Sequence, residues 1–174
     1  MRARRWIPAL LKPMISAGLL VAVLATPVSA ETVASPDLGR AAASAFKDTC
    51  LATRGKGKDA AIFAISARPG IVEGQSLPAY GGGEPMRTFK EGSIEYLVRA
   101  SKKGRYGCFV VIEGGAGQAE SVKAAIDTFD GVQAKPAKAG KKGAYTWSFA
   151  GSKDEVRLIP NSDVGGILIN LEVN

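Results

Sequence analysis

The chain has 174 residues, 46% of them hydrophobic, and sets 23 lysines and arginines against 16 acids with no histidine. The missing histidine removes the commonest general base, the usual partner of a nucleophilic serine or cysteine, and the commonest metal ligand, which argues against an enzyme and against a metal centre. The formal charge of +7 points toward polyanions only until its location is considered, because Arg2, Arg4, Arg5 and Lys12 all belong to a targeting segment.

That segment comes first. A basic stretch, Met1–Arg5, precedes an apolar run, Ile15–Thr26, and then small residues at Val28-Ser29-Ala30, the order of a cleavable secretory signal. The apolar run is about 12 residues, where a membrane span needs roughly 20. Cleavage after Ala30 leaves 144 residues with a balance of +3, enough for one domain with a single core. The expected organisation is a signal peptide over 1–30 and one domain over 31–174. The expected location is the periplasm or the exterior, with no stable membrane insertion after cleavage, no nucleic-acid partner and no cofactor.

In an oxidising compartment the two cysteines, Cys50 and Cys108, are expected to form one disulfide. A metal role would need further ligands that the chain does not offer.

Ser35-Pro36 opens a helix running to about Thr53, with Leu38, Ala41, Ala42, Ala45, Phe46 and Thr49 on its apolar side and Cys50 at the edge of that stripe. A short second helix, Ala60–Ala67, ends at Pro69-Gly70. Within it Ile62-Phe63-Ala64-Ile65 would also suit a buried strand. Gly70–Pro85 shows no period and is either a hairpin or a mobile loop carrying function. It holds two candidate binding residues, Tyr80 and Glu84, and also Glu73; one of the two glutamates could serve as the acid in glycan cleavage, although sequence alone gives no paired-carboxylate geometry.

Met86–Lys90 and Ser93–Ala100 flank Glu91-Gly92 as a hairpin. Cys108–Ile112 is apolar throughout and predicts a central strand covered on both faces. Gly114–Gly117 leads into a helix, Gln118–Phe129, stopped at Gly131, and lacks the spacing of a nucleotide loop. Gly131–Lys142 reads as a lysine-rich linker. A three-strand meander follows: Ala144–Ala150, Glu155–Ile159 and Ile167–Val173. Tyr145, Trp147 and Phe149 share one face, either as core under a helix or, if exposed, as a stacking platform for a sugar or peptide, which makes Tyr145 and Trp147 candidate binding residues.

The predicted order ααβββαβββ gives an α+β domain, an antiparallel sheet of five to six strands on two to three helices, in which helix-then-three-strands occurs twice. Ser44-Ala45-Phe46-Lys47 has the S-x-x-K spacing and so resembles the serine penicillin-interacting enzymes, but it lies in mid-helix on the polar side and no lysine-threonine-glycine element accompanies it. No catalytic residue is assigned. The reading that results is a small exported binding or protein-interaction module of accessory or inhibitor type, its partner an envelope protein or polymer. A carboxylate-dependent enzyme and a structural envelope component are the alternatives.

The leader carries a direct test: N-terminal sequencing of the exported product is expected to read Glu31-Thr32-Val33. A full-length chain retained in the membrane fraction would refute the signal assignment.

Overall fold

Apolar side chains turned inward at alternate positions of two neighbouring strands, residues 94–100 and 106–112, build the centre of the fold. In the computed structural model, which describes residues 36–78, 84–100, 105–135, 145–161 and 165–174, the strands are β1 (Val72–Glu73), β2 (Arg87–Glu91), β3 (Ile94–Ala100), β4 (Tyr106–Ile112), β5 (Val132–Lys135), β6 (Tyr145–Phe149), β7 (Glu155–Asn161) and β8 (Gly166–Val173). They form one antiparallel sheet in the order β1-β2-β3-β4-β8-β7-β6-β5. The described residues fall in one compact unit, Val33–Asn174. The leader expected over 1–30 lies outside the described residues.

Three helices cover one side: α1 (Pro36–Phe46), α2 (Lys58–Ser66) and α3 (Ala119–Ile126). Each is too short to be stable alone, so its apolar stripe must be buried against the sheet. Ala42, Ala43, Ala45 and Phe46 of α1, Ala61 and Ile65 of α2, and Val122 and Ile126 of α3 are buried. They meet Tyr96, Val98, Cys108, Val110, Ile112, Trp147, Val156, Leu158, Ile167, Ile169 and Leu171 from the strands in a single core. The last strand alternates as its sequence predicts, with Ile167, Ile169 and Leu171 inward.

The first helix does not run on regularly to Thr53. After Phe46 it widens into a π-helical turn, Lys47–Leu51, closed by Ala52 N–H donating to Lys47 O at 2.9 Å. Thr49 and Thr53 donate their hydroxyls back to the carbonyls of Ala45 (2.6 Å) and Thr49 (2.7 Å), which lets two polar side chains be buried without an unmet donor. This turn delivers Cys50 to the sheet, where it is bonded to Cys108 with a Cα–Cα distance of 5.5 Å.

Sequence and structure differ in strand number, eight rather than five to six. Val72–Glu73 of β1 pairs with Phe89–Lys90, and Leu77 bridges Met86, so the described part of 70–85 is the missed arm of a hairpin. β5 lies inside the expected linker and pairs with β6 from Val132↔Phe149 to Lys135↔Thr146. Neither carries a hydrophobic pattern, because a sheet edge is held by backbone hydrogen bonds and needs little apolar surface. The repeat is therefore a helix followed by four strands: α2 with β1–β4, and α3 with β5–β8.

A second correction concerns β4. It is central, between β3 and β8, but the helices cover one face only. Cys108, Val110 and Ile112 are buried against them, while Phe109 and Val111 point to the other face and are half-buried.

The disulfide closes a sequence separation of 58 residues, for which the loop-entropy relation gives an upper value of about 4 kcal/mol. Denatured, unreduced protein is expected to show no titratable thiol. The Cys50→Ala/Cys108→Ala variant should lose stability up to that amount in chemical denaturation, and a loss near zero would show that the bond constrains nothing in the unfolded chain.

Candidate functional site

The residues proposed from sequence do not converge. Tyr80 lies outside the described residues. Glu84 is exposed and paired with Lys58 at the start of α2, while Glu73 pairs with Arg87, so the two loop carboxylates are held by separate cations rather than facing each other across a cleft. Trp147 is 1% exposed and its indole N–H donates to Asp127 Oδ1 at 2.7 Å. Tyr145, half-buried, donates to Glu120 of α3, which raises the phenol's pKa through that bond first and burial second. The aromatic row of β6 thus faces α3 and belongs to the core side of the sheet. Asp127, held by Lys123 and by Trp147, titrates below the usual carboxylate range.

What the sequence reading missed is the opposite face. Antiparallel pairing puts directly opposed residues on the same side, and two cross-strand rows can be followed over the sheet. In one, Thr88, Leu97, Phe109, Asn170, Arg157, Thr146 and Lys135 succeed one another from β2 to β5. In the next, Lys90, Glu95, Val111, Leu168 and Ile159 do so from β2 to β7. Leu97, Phe109, Val111, Leu168 and Ile159 therefore form a contiguous apolar patch across the four central strands. All five are half-buried, and among the described residues all three helices lie on the other side.

The Phe109 ring owes its position to Gly107. A Cβ at residue 107 would come within 2.8 Å of that ring, so only glycine lets the phenyl lie back along its own strand. The Arg99 guanidinium stands 5.5 Å from the ring centroid, within cation–π range.

One flank of the patch is a ladder of alternating charge. Arg99 and Arg157 each approach Glu172 at 3.9 Å, Arg157 reaches Glu155 at 2.7 Å, and Lys135 reaches Glu155 at 2.6 Å. Hydrogen bonds from Lys135 and then Arg157 hold the Glu155 carboxyl below its ordinary pKa, against the opposing effect of burial. Two buried polar atoms beside Phe109 lack hydrogen-bond partners among the described residues, Arg99 Nε and Asn170 Oδ1, and Asn170 is only 5% exposed. Each such atom is destabilising in the isolated chain.

The signal for this face was present in the sequence as Phe109 and Val111. In a strand with one covered side, apolar residues at the alternate positions have no core to enter. Among the described residues no cluster of three potential metal ligands occurs, and no helix is long and apolar enough to cross a membrane. The chain matches no protein-family model, no curated protein and no solved structure.

The charged ladder has a pH signature. Because the folded pKa of Glu155 is depressed, its contribution is fully present above the unfolded value and is lost as pH falls through the folded one. Glu155→Gln is expected to lower stability at neutral pH by less than about 1 kcal/mol and to flatten the loss of stability on the acid side of the ordinary carboxylate range. Denaturant titrations of both proteins across that range check the sign, and parallel curves would show that Glu155 carries no linkage.

Proposed function

We propose that this protein is a small exported interaction module whose sheet face opposite the three helices docks a partner protein. The observation that carries the reading is the apolar patch of Leu97, Phe109, Val111, Leu168 and Ile159, bordered by the Arg99–Glu172–Arg157–Glu155–Lys135 ladder. An apolar centre with a charged, solvent-accessible rim is the anatomy of a protein interface. The patch is aliphatic apart from Phe109. Such an apolar centre favours a protein over a polymer as the occupant.

Arg99 Nε and Asn170 Oδ1 support the same reading. A partner that supplies an acceptor and a donor beside Phe109 would satisfy both, converting a destabilising feature of the free chain into binding free energy. The alternating charges of the ladder would fix orientation and association rate more than affinity. Export, expected from the leader, places the partner in the envelope or outside the cell, where the disulfide persists.

The test uses the face itself. Val111→Lys and Leu168→Lys point a charge out of the patch and are expected to leave Tm within about 2 °C. Each should abolish the retention of a protein that the wild type captures stoichiometrically from envelope extract. If the substituted and wild-type proteins retain the same partner, or the wild type retains none, the face is not an interface.

A further inference from the structure

On the helical side of the sheet, α1 and α3 approach closely at one end and separate at the other. Gly39 makes the close approach possible: its N–H donates to Gln118 Oε1 at 3.3 Å, and a Cβ there would lie 2.9 Å from that oxygen. Beyond this contact the two helices border an open groove of about 440 Å³. Arg40, Ser44 and Lys47 form one wall, Ser121 and Thr128 the other, and Phe129 closes one end.

The groove carries two basic side chains on one wall, Arg40 and Lys47. Nine of the described basic side chains have acidic partners: Arg54, Lys58, Arg68, Arg87, Lys90, Arg99, Lys123, Lys135 and Arg157. Arg40, Lys47, Lys56, Arg105 and Lys153 have none among the described residues, and of these Arg40 and Lys47 are the two that line this groove together. Lys47 instead lies over the Phe129 ring, 5.3 Å from its centroid. Of the acids of the adjoining segments, Glu120 accepts from Tyr145 and Asp127 is held by Lys123 and Trp147, while Asp130, next to Phe129, is exposed and has no partner among the described residues. Asp48 accepts a weak bond from Ser44 at 3.4 Å.

Seven residues separate Arg40 from Lys47, two helical turns or about 10 Å along the axis. Ser121 and Thr128 have the same spacing on the facing segment. The groove thus offers two cations at a fixed interval, hydroxyls between and opposite them, and one aromatic edge. We propose that it binds an acidic oligosaccharide, a chain rich in hydroxyl groups whose negative groups recur at the disaccharide interval. The cations meet successive acidic groups, and the hydroxyls of Ser44 and Thr128 meet the sugar hydroxyls between them. Charge-assisted contacts of this kind carry the affinity, and the openness of the groove makes it sensitive to salt. This site lies on the opposite side of the sheet from the patch formed by Phe109 and Val111, so its success or failure is independent of the docking reading.

The probe is a hexasaccharide of alternating uronic acid and N-acetylglucosamine, added to the mature protein and followed by amide chemical shifts at low salt. Shifts are expected at residues 40–47 and 121–129, with at least tenfold weaker binding in the Arg40→Gln/Lys47→Gln double variant and on raising the salt to 0.5 M. Thr128→Glu, which leaves both cations in place, should weaken binding comparably. A neutral chito-hexasaccharide should shift nothing. A glucosamine disaccharide bearing phosphates at both ends separates phosphate from carboxylate as the source of charge, and binding by either acidic probe at these residues supports the site. The proposal is overturned if neither acidic probe binds, if the neutral sugar binds equally, if the double variant binds like wild type, or if the shifts fall on the sheet face instead.

Discussion

The disulfide between Cys50 and Cys108 is the constraint around which the described part of the molecule is arranged. It joins the π-helical turn after α1 to β4, and β4 is the strand where the two four-stranded halves meet through β8. α1 belongs to neither repeat, yet it packs against β4 and α3, while the turn that follows it contacts α2. Close by, Tyr106 donates to the Thr53 carbonyl at 2.9 Å, and Arg54 pairs with Asp154 at 3.1 Å while lying 3.9 Å from the Phe149 ring centroid. One covalent bond thus fixes α1 over the seam, and the residues just beyond it reach into the second half.

Burial on the two sides of the sheet follows different rules. The helical side is filled by aliphatic and aromatic side chains whose few polar atoms are matched, as with Trp147 and Asp127, or Tyr96 and Glu91 at 2.6 Å. Arg68 closes the latter cluster through two bonds to Glu91, which pull that carboxyl below its usual range, while burial first and the Glu91 bond second raise the Tyr96 phenol. The other side keeps apolar side chains half in water and leaves two buried polar atoms without partners among the described residues. A surface under no demand beyond solubility would be expected to favour polar residues at Phe109, Val111, Leu168 and Ile159.

Much of the architecture could be read from periodicity. Ile94, Tyr96 and Val98 alternate because one side of β3 is dry, and the apolar stripe of α1 marks the same boundary from above. The disulfide followed from an even cysteine count and the placement of both residues at apolar positions. The edge strands were illegible for a physical reason: Val72–Glu73 and Val132–Lys135 are held by backbone bonds to one neighbour, and hydrophobicity does not report those. The apolar face was misread because Cys108–Ile112 is equally consistent with cover on both sides, and only the placement of the three helices decides between them. The groove was invisible, since it depends on how closely Gly39 lets two helices approach, a tertiary quantity. Ser44 and Lys47, conspicuous in sequence as a catalytic spacing, line that groove as neighbours on one helical wall.

The strand order also fixes the sequence in which the sheet can be assembled. β4 is the fourth strand in the chain and β8 the last, yet they are direct neighbours at the centre. Until β8 arrives, the first half presents β4 as a free edge, with Phe109 and Val111 on one side of it. A chain delivered from its N-terminus holds that edge open until the residues between β4 and the end of β8, about sixty of them, have appeared. Short outer strands shield the finished sheet from edge-to-edge association, but the interior edge has no such protection during synthesis. The second repeat is therefore the cap of the first as well as its copy, and the moment of greatest exposure falls before the last strand is delivered.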